Sequence, residues 1–101
     1  MRLSASQIDI IKRVTREVWG DQTLVYLFGS RTDDSKKGGD IDLYIHLEAE
    51  QEPKKIMLKK AEFLSKLVIQ LGEQKIDVLV RTAYNNHLPI IKSAQLKGVA
   101  L

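Results

Sequence analysis

The chain contains no cysteine. Disulfides, cysteine zinc sites and thiol catalysis are therefore excluded, as is the usual framework of a small secreted scaffold. No apolar run approaches the roughly 18 residues that a membrane span requires. The first residues, MRLSASQIDIIKRV, show neither a continuous apolar stretch nor a cleavage site, so no signal peptide is expected there. The nucleotide-binding glycine motifs are also missing: neither G-x-x-x-x-G-K-[ST] nor G-x-G-x-x-G occurs. Internal repeats and low-complexity tracts are absent as well. These absences leave a globular protein, expected in the cytoplasm and without membrane contact.

What is present fits one domain over residues 1–101. Apolar residues make up 44% and charged residues 29%, a balance that supports a packed core rather than disorder. The formal charge of +3 and pI near 9.2 allow phosphate or nucleic-acid ligands without selecting them.

Ser4 or Ser6 can cap a helix ending at Gly20, with Ile8, Ile11, Thr15, Val18 and Trp19 on one face. Residues 23–28 (TLVYLF) read as a strand buried on both faces. Residues 29–39 (GSRTDDSKKGG) form a loop or short turn. Residues 40–47 (DIDLYIHL) alternate strictly: Ile41, Leu43, Ile45 and Leu47 point one way, and Asp40, Asp42, Tyr44 and His46 the other. After Pro53, a residue suited to a first helical turn, Met57, Ala61, Leu64, Val68 and Leu71 recur at steps of four and three. That stripe predicts an amphipathic helix ending at Gly72. Residues 75–81 (KIDVLVR) alternate again and place Asp77 on the face opposite Ile76, Val78 and Val80. A final helix is expected near 87–97, ended by Gly98. The order helix, strand, strand, helix, strand, helix predicts an α/β (α+β) fold: a small mixed sheet with its helices packed on one face.

Two strands thus present carboxylates on their non-core face. Asp40 and Asp42 have parallel side-chain directions and can grip one ion. Asp77 joins them if the strands are neighbours. Crowded carboxylates repel one another without cations, and an oxygen-only donor set suits Mg²⁺ or Mn²⁺ rather than zinc. Upstream, Gly29 permits close backbone approach to a ligand. The Ser30 hydroxyl and nearby N–H groups can donate to phosphate oxygens, and Arg31 can add a charge-assisted bond. Each aspartate alone could be a solvated strand residue; the combination is what points to a site. Lys36 and Lys37 read as a solvated loop pair. His46 and His87 lack metal-ligand spacing, and Tyr44 reads as a partly covered strand tyrosine rather than a base-stacking platform.

The segments FGSR…GGDIDL and KIDVLV, with a nine-residue spacer over 31–39, resemble the minimal nucleotidyltransferases of the DNA polymerase β superfamily. The resemblance runs to the closing KGVAL and implies the polymerase β-like palm. It implies that Gly29 and Ser30 hold the outer phosphates of a nucleoside triphosphate, expected to be ATP; Arg31 is either a further phosphate ligand or a surface arginine. It also implies that Asp40 and Asp42 bind two metal ions, and that Asp77 holds the catalytic one and helps activate the attacking hydroxyl. This chain departs from the Gly-Ser-x-Ala-Arg-Gly continuation of many small members. Such proteins are often paired with a small helical HEPN protein as toxin–antitoxin-like partners, which implies transfer of AMP to a partner hydroxyl. The alternative is a non-catalytic nucleotide-binding subunit that regulates a partner by forming a complex. Direct nucleic-acid binding is a third reading, needing Lys12, Arg13 and Arg16 to form one patch. An oligomer is compatible with all three.

Overall fold

The computed structural model describes residues 3–28, 41–47, 51–72, 75–82 and 85–101. The elements follow in the order α1 (Ala5–Trp19), β1 (Leu24–Phe28), β2 (Ile41–His46), α2 (Pro53–Leu71), β3 (Ile76–Arg81), α3 (Pro89–Lys97) and β4 (Val99–Ala100). Among the described residues, no helix is long and apolar enough to cross a membrane.

Local chemistry fixes the helix ends. Ser4, not Ser6, opens α1: its hydroxyl accepts the Gln7 amide at 3.1 Å, and the Gln7 side chain accepts the Ser4 amide at 2.9 Å. This reciprocal capping box satisfies two amides that the helix itself cannot. At the other end the chain turns through Gly20 at φ 111°, a left-handed value that favours glycine. Pro53 starts α2 and Pro89 starts α3, where a missing N–H costs nothing.

The sheet runs β3-β2-β1-β4. β1 pairs antiparallel with both β2 and β4, whereas β2 and β3 are parallel. α1 and α2 cover one face. Ile11, Val14 and Val18 of α1 and Ile56, Phe63 and Leu67 of α2 meet Val25, Leu27, Ile41, Leu43, Ile45, Val78 and Val80 of the sheet. Trp19 meets Phe63 edge-on, with ring centroids 6.0 Å apart.

The mixed sheet agrees with the sequence expectation, as does the placement of α1 and α2 on one face. Three details differ. α3 packs on the opposite face, where Ile91 and Ala94 seal Tyr44; the apolar row of Tyr26, Tyr44 and Leu79 on that face requires cover. A short β4 follows α3. Finally, α2 buries Ile56, Phe63 and Leu67, while Met57 is 65% and Val68 42% exposed. The helix is thus rotated from its four-and-three stripe so that Phe63 can reach Trp19.

Candidate active site

The register sorts the α3-bearing face into three rows. Phe28, Asp42 and Asp77 are consecutive partners across β1, β2 and β3. Tyr26, Tyr44 and Leu79 form the next row, and Leu24, His46 and Arg81 the last. Alternation puts all nine on one side of the sheet. One end of the face therefore carries two facing carboxylates, the middle is apolar, and the far end is basic.

Asp42 and Asp77 are the two proposed site residues that the structure describes, and it brings them directly opposite one another. Neighbouring strands lie roughly 4.8 Å apart, so one cation can meet both side chains. The backbone bond from the Ile41 amide to the Lys75 carbonyl, 2.9 Å, fixes the parallel register just before the pair. Asp42 is half-buried and Asp77 exposed. The donors are oxygen only, as a hard divalent cation prefers. Among the described residues they belong to no group of three or more potential metal ligands. Gly29, Ser30, Arg31 and Asp40 lie outside the described residues, as do Lys36 and Lys37.

The middle row forms a floor beside the carboxylates. Tyr44 is 1% exposed and leans on Tyr26, with centroids 5.7 Å apart. Its hydroxyl lies 3.2 Å from His46 Nδ1 and accepts the Gln95 amide at 3.2 Å. Tyr44 is thus a pin between sheet and α3, closed to a base, and His46 is its support. Sequence alternation placed Tyr44 on the carboxylate face but could not show that α3 covers it. Phe28 was not singled out; as the register partner of Asp42 and the last residue before Gly29, it joins the two halves of the motif.

The basic residues of α1 take different directions. Arg13 reaches the Gln70 side chain on α2, whereas Lys12 and Arg16 line a pocket with Thr23, Ala100 and Leu101.

With this geometry the family is decided by one match. A model of the nucleotidyltransferase domain aligns with residues 8–101. The chain belongs to the nucleotidyltransferase domain family. A search of curated proteins finds no match. The match supports the polymerase β-like superfamily and, with it, transferase chemistry: movement of a nucleotidyl group. For a nucleotidyltransferase domain, a carboxylate pair at one end of the sheet beside the exit of β1 is a coherent arrangement. Negative side chains there tolerate a polyphosphate only with cations between them.

Proposed function

We propose that this nucleotidyltransferase domain performs metal-dependent transfer of a nucleoside monophosphate, AMP from ATP, to a hydroxyl on a macromolecular acceptor. The observation that carries the proposal is the in-register facing of Asp42 and Asp77 in a chain of this family. The acceptor in this reading is a small helical HEPN-type partner, which rests on the family resemblance of the GSR…GGDIDL and KIDVLV segments. The single domain spans residues 1–101.

In the proposed site, Asp40, Asp42 and Asp77 would hold Mg²⁺ or Mn²⁺. When bound, the ions neutralise charge on the phosphates and favour loss of the acceptor proton. Gly29 offers backbone room, the Ser30 hydroxyl donates to the outer phosphates, and Arg31 adds a cation beside them. The acceptor oxygen forms a bond to the α-phosphorus, the bond from that phosphorus to the bridging oxygen breaks, and pyrophosphate leaves. Asp77 helps activate the attacking hydroxyl by accepting its proton. Positioning and charge neutralisation supply most of the catalysis in such a displacement.

The test is transfer of label from α-labelled ATP to a co-purified partner, comparing the wild type with Asp42→Asn. The substitution preserves shape and removes no core volume, so the variant is expected to fold and to transfer nothing. Chelation of divalent metal is expected to silence the wild type. Normal labelling by folded Asp42→Asn protein would refute the mechanism. A wild type that binds ATP yet labels no acceptor, with any triphosphate, would favour the non-catalytic binding subunit.

A further inference from the structure

We infer that the outer flank of α2 is a docking seam for an amphipathic helix with an acidic rim, supplied by a partner protein. Four large apolar side chains of this helix face solvent: Met57 and Leu58 near its start, Val68 and Ile69 near its end. Leu64 and Leu71 are partly buried and Ala61 is exposed. A helix that is apolar on its core face and again on its outer face is usually covered on both.

The spacing selects the occupant. Met57, Ala61, Leu64, Val68 and Leu71 recur at alternating steps of four and three, the a and d pattern of a coiled-coil seam. The core side of α2 buries Ile56, Phe63 and Leu67, with Leu64 and Leu71 packed at its margin; Met57, Ala61 and Val68 stay exposed on the outer flank. It runs along a helix of 19 residues, about 28 Å at 1.5 Å per residue. Near its N-terminal end the seam borders a groove of about 520 Å³ lined by Pro53, Ile56, Met57, Lys60, Val78 and Val80, among others.

A strand is a poorer occupant than a helix. β3 is the sheet edge beside this groove, but Asn85 already occupies its end: the side-chain amide donates to the Val80 carbonyl at 2.9 Å, and its oxygen accepts the Thr82 amide at 2.7 Å. Edge blocking of this kind discourages strand addition.

Charge selects the rim. In the heptad that places Met57 at d, Lys54 falls at a, Lys60 and the buried Leu67 at g, and Leu58 and Ser65 at e; no carboxylate falls on a, d, e or g between 53 and 71. Glu62, the one acidic residue of α2, falls at b. Residues at e and g set partner choice through charge pairs. A partner helix carrying Glu or Asp along its rim meets Lys54 and Lys60 favourably. A second copy of this chain would bring lysines and no carboxylate to the same seam. The inference concerns the helix surface alone and holds whether or not the domain transfers nucleotides.

The experiment uses the full chain and two synthetic helices of the same length as α2, with leucine at a and d. One carries glutamate at e and g, the other lysine. Self-repulsion keeps each free to pair with a different helix. Binding is read by titration with fluorescently labelled peptide and mapped by amide chemical shifts. The glutamate helix is expected to bind and to shift amides of residues 57–71, and the lysine helix to bind at least about tenfold more weakly. The double variant Ala61→Glu and Val68→Glu is expected to lose binding while melting as the wild type does, since neither residue is buried. No binding of the glutamate helix, equal binding of both helices, or shifts away from α2 would overturn the inference. So would sedimentation showing self-association of the chain that the double variant abolishes, because the seam would then belong to a second copy.

Discussion

Asp77→Asn is expected to raise the melting temperature of the metal-free protein while abolishing nucleotidyl transfer. The sign follows from the register. Asp77 is the direct partner of Asp42 on the adjacent strand, and the strands lie roughly 4.8 Å apart. Two unit charges at about 5 Å repel by about 0.8 kcal/mol in bulk water and about 3 kcal/mol at an effective dielectric of 20. Asp77 is exposed and Asp42 half-buried, so the lower figure governs. Cross-strand pairs of charges fall in the same range, about 0.2–1 kcal/mol. Removing one charge therefore stabilises by about 0.5 kcal/mol. For a domain of this size 1 kcal/mol moves Tm by about 4–8 °C, so the rise expected in EDTA is about 2–4 °C. With saturating Mg²⁺ and ATP the order reverses: the wild type gains about 2.7 kcal/mol at a hundredfold excess over Kd, and the variant gains less. Paired melts in EDTA and in Mg²⁺-ATP, beside the transfer assay, measure both signs. A variant that melts lower than wild type in EDTA, or that transfers normally, would refute the assignment of Asp77 to the metal site.

Two further outcomes are expected. Gly98→Ala should destabilise the fold by about 1–3 kcal/mol, because a Cβ there would stand 2.5 Å from the Ala94 carbonyl oxygen and 3.1 Å from Tyr26 Cβ; hydrogen exchange at the Leu101 amide, which donates to the Val25 carbonyl at 3.0 Å, should accelerate beyond the change in global stability. Ser30→Ala should weaken binding of ATP by about 1.5–3 kcal/mol and of AMP much less, as calorimetry with the two ligands can show; parallel losses would place Ser30 away from the outer phosphates.

How far the sequence disclosed this arrangement depends on whether a feature is local. The alternation in 40–47 and 75–81 revealed which side chains share a face, because period two is a property of the strand alone. Ser4 or Ser6, Gly20, Pro53 and Gly72 mark helix ends through backbone chemistry that needs no tertiary partner. β4 left no such trace. Two residues have no periodicity, and the strand exists because Gly98 lets the chain pass close to Tyr26. In α2 the sequence points to one stripe, Met57, Ala61, Leu64, Val68 and Leu71, whereas the structure buries Ile56, Phe63 and Leu67. The choice between them was made by Trp19, which lies on another helix and meets Phe63. Tyr44 belongs to the carboxylate face by alternation, yet α3 buries it, and no local pattern announces a helix crossing a sheet. From sequence the Asp42 and Asp77 pairing depends on the two strands being neighbours, since register is set between strands and not within one.

That register also explains why a site of this kind depends on the long α2 connection. β1 runs antiparallel to β2, so β1 leaves the sheet where β2 enters it, and Phe28 comes to stand beside Asp42. The chain continues from Phe28 into Gly29-Ser30 and returns through Asp40 to begin β2. β3 runs parallel to β2, so it too begins at that end, with Asp77 as its second residue. Three strand ends therefore meet at one edge of the face, each adjoining a segment of the motif. Were β3 antiparallel, joined to β2 by a short hairpin, Asp77 would start from the opposite end, near His46, and no carboxylate would face Asp42. Parallel neighbours cannot be joined by a tight turn; they require a crossover of a dozen or more residues. The 19 residues of α2 supply that crossover and cover the core face of the sheet. The opposite face is closed in its middle by α3 through Ile91, Ala94 and the Tyr44 hydroxyl. At the end of that face where β2 and β3 begin stand the paired carboxylates, Asp42 half-buried and Asp77 exposed.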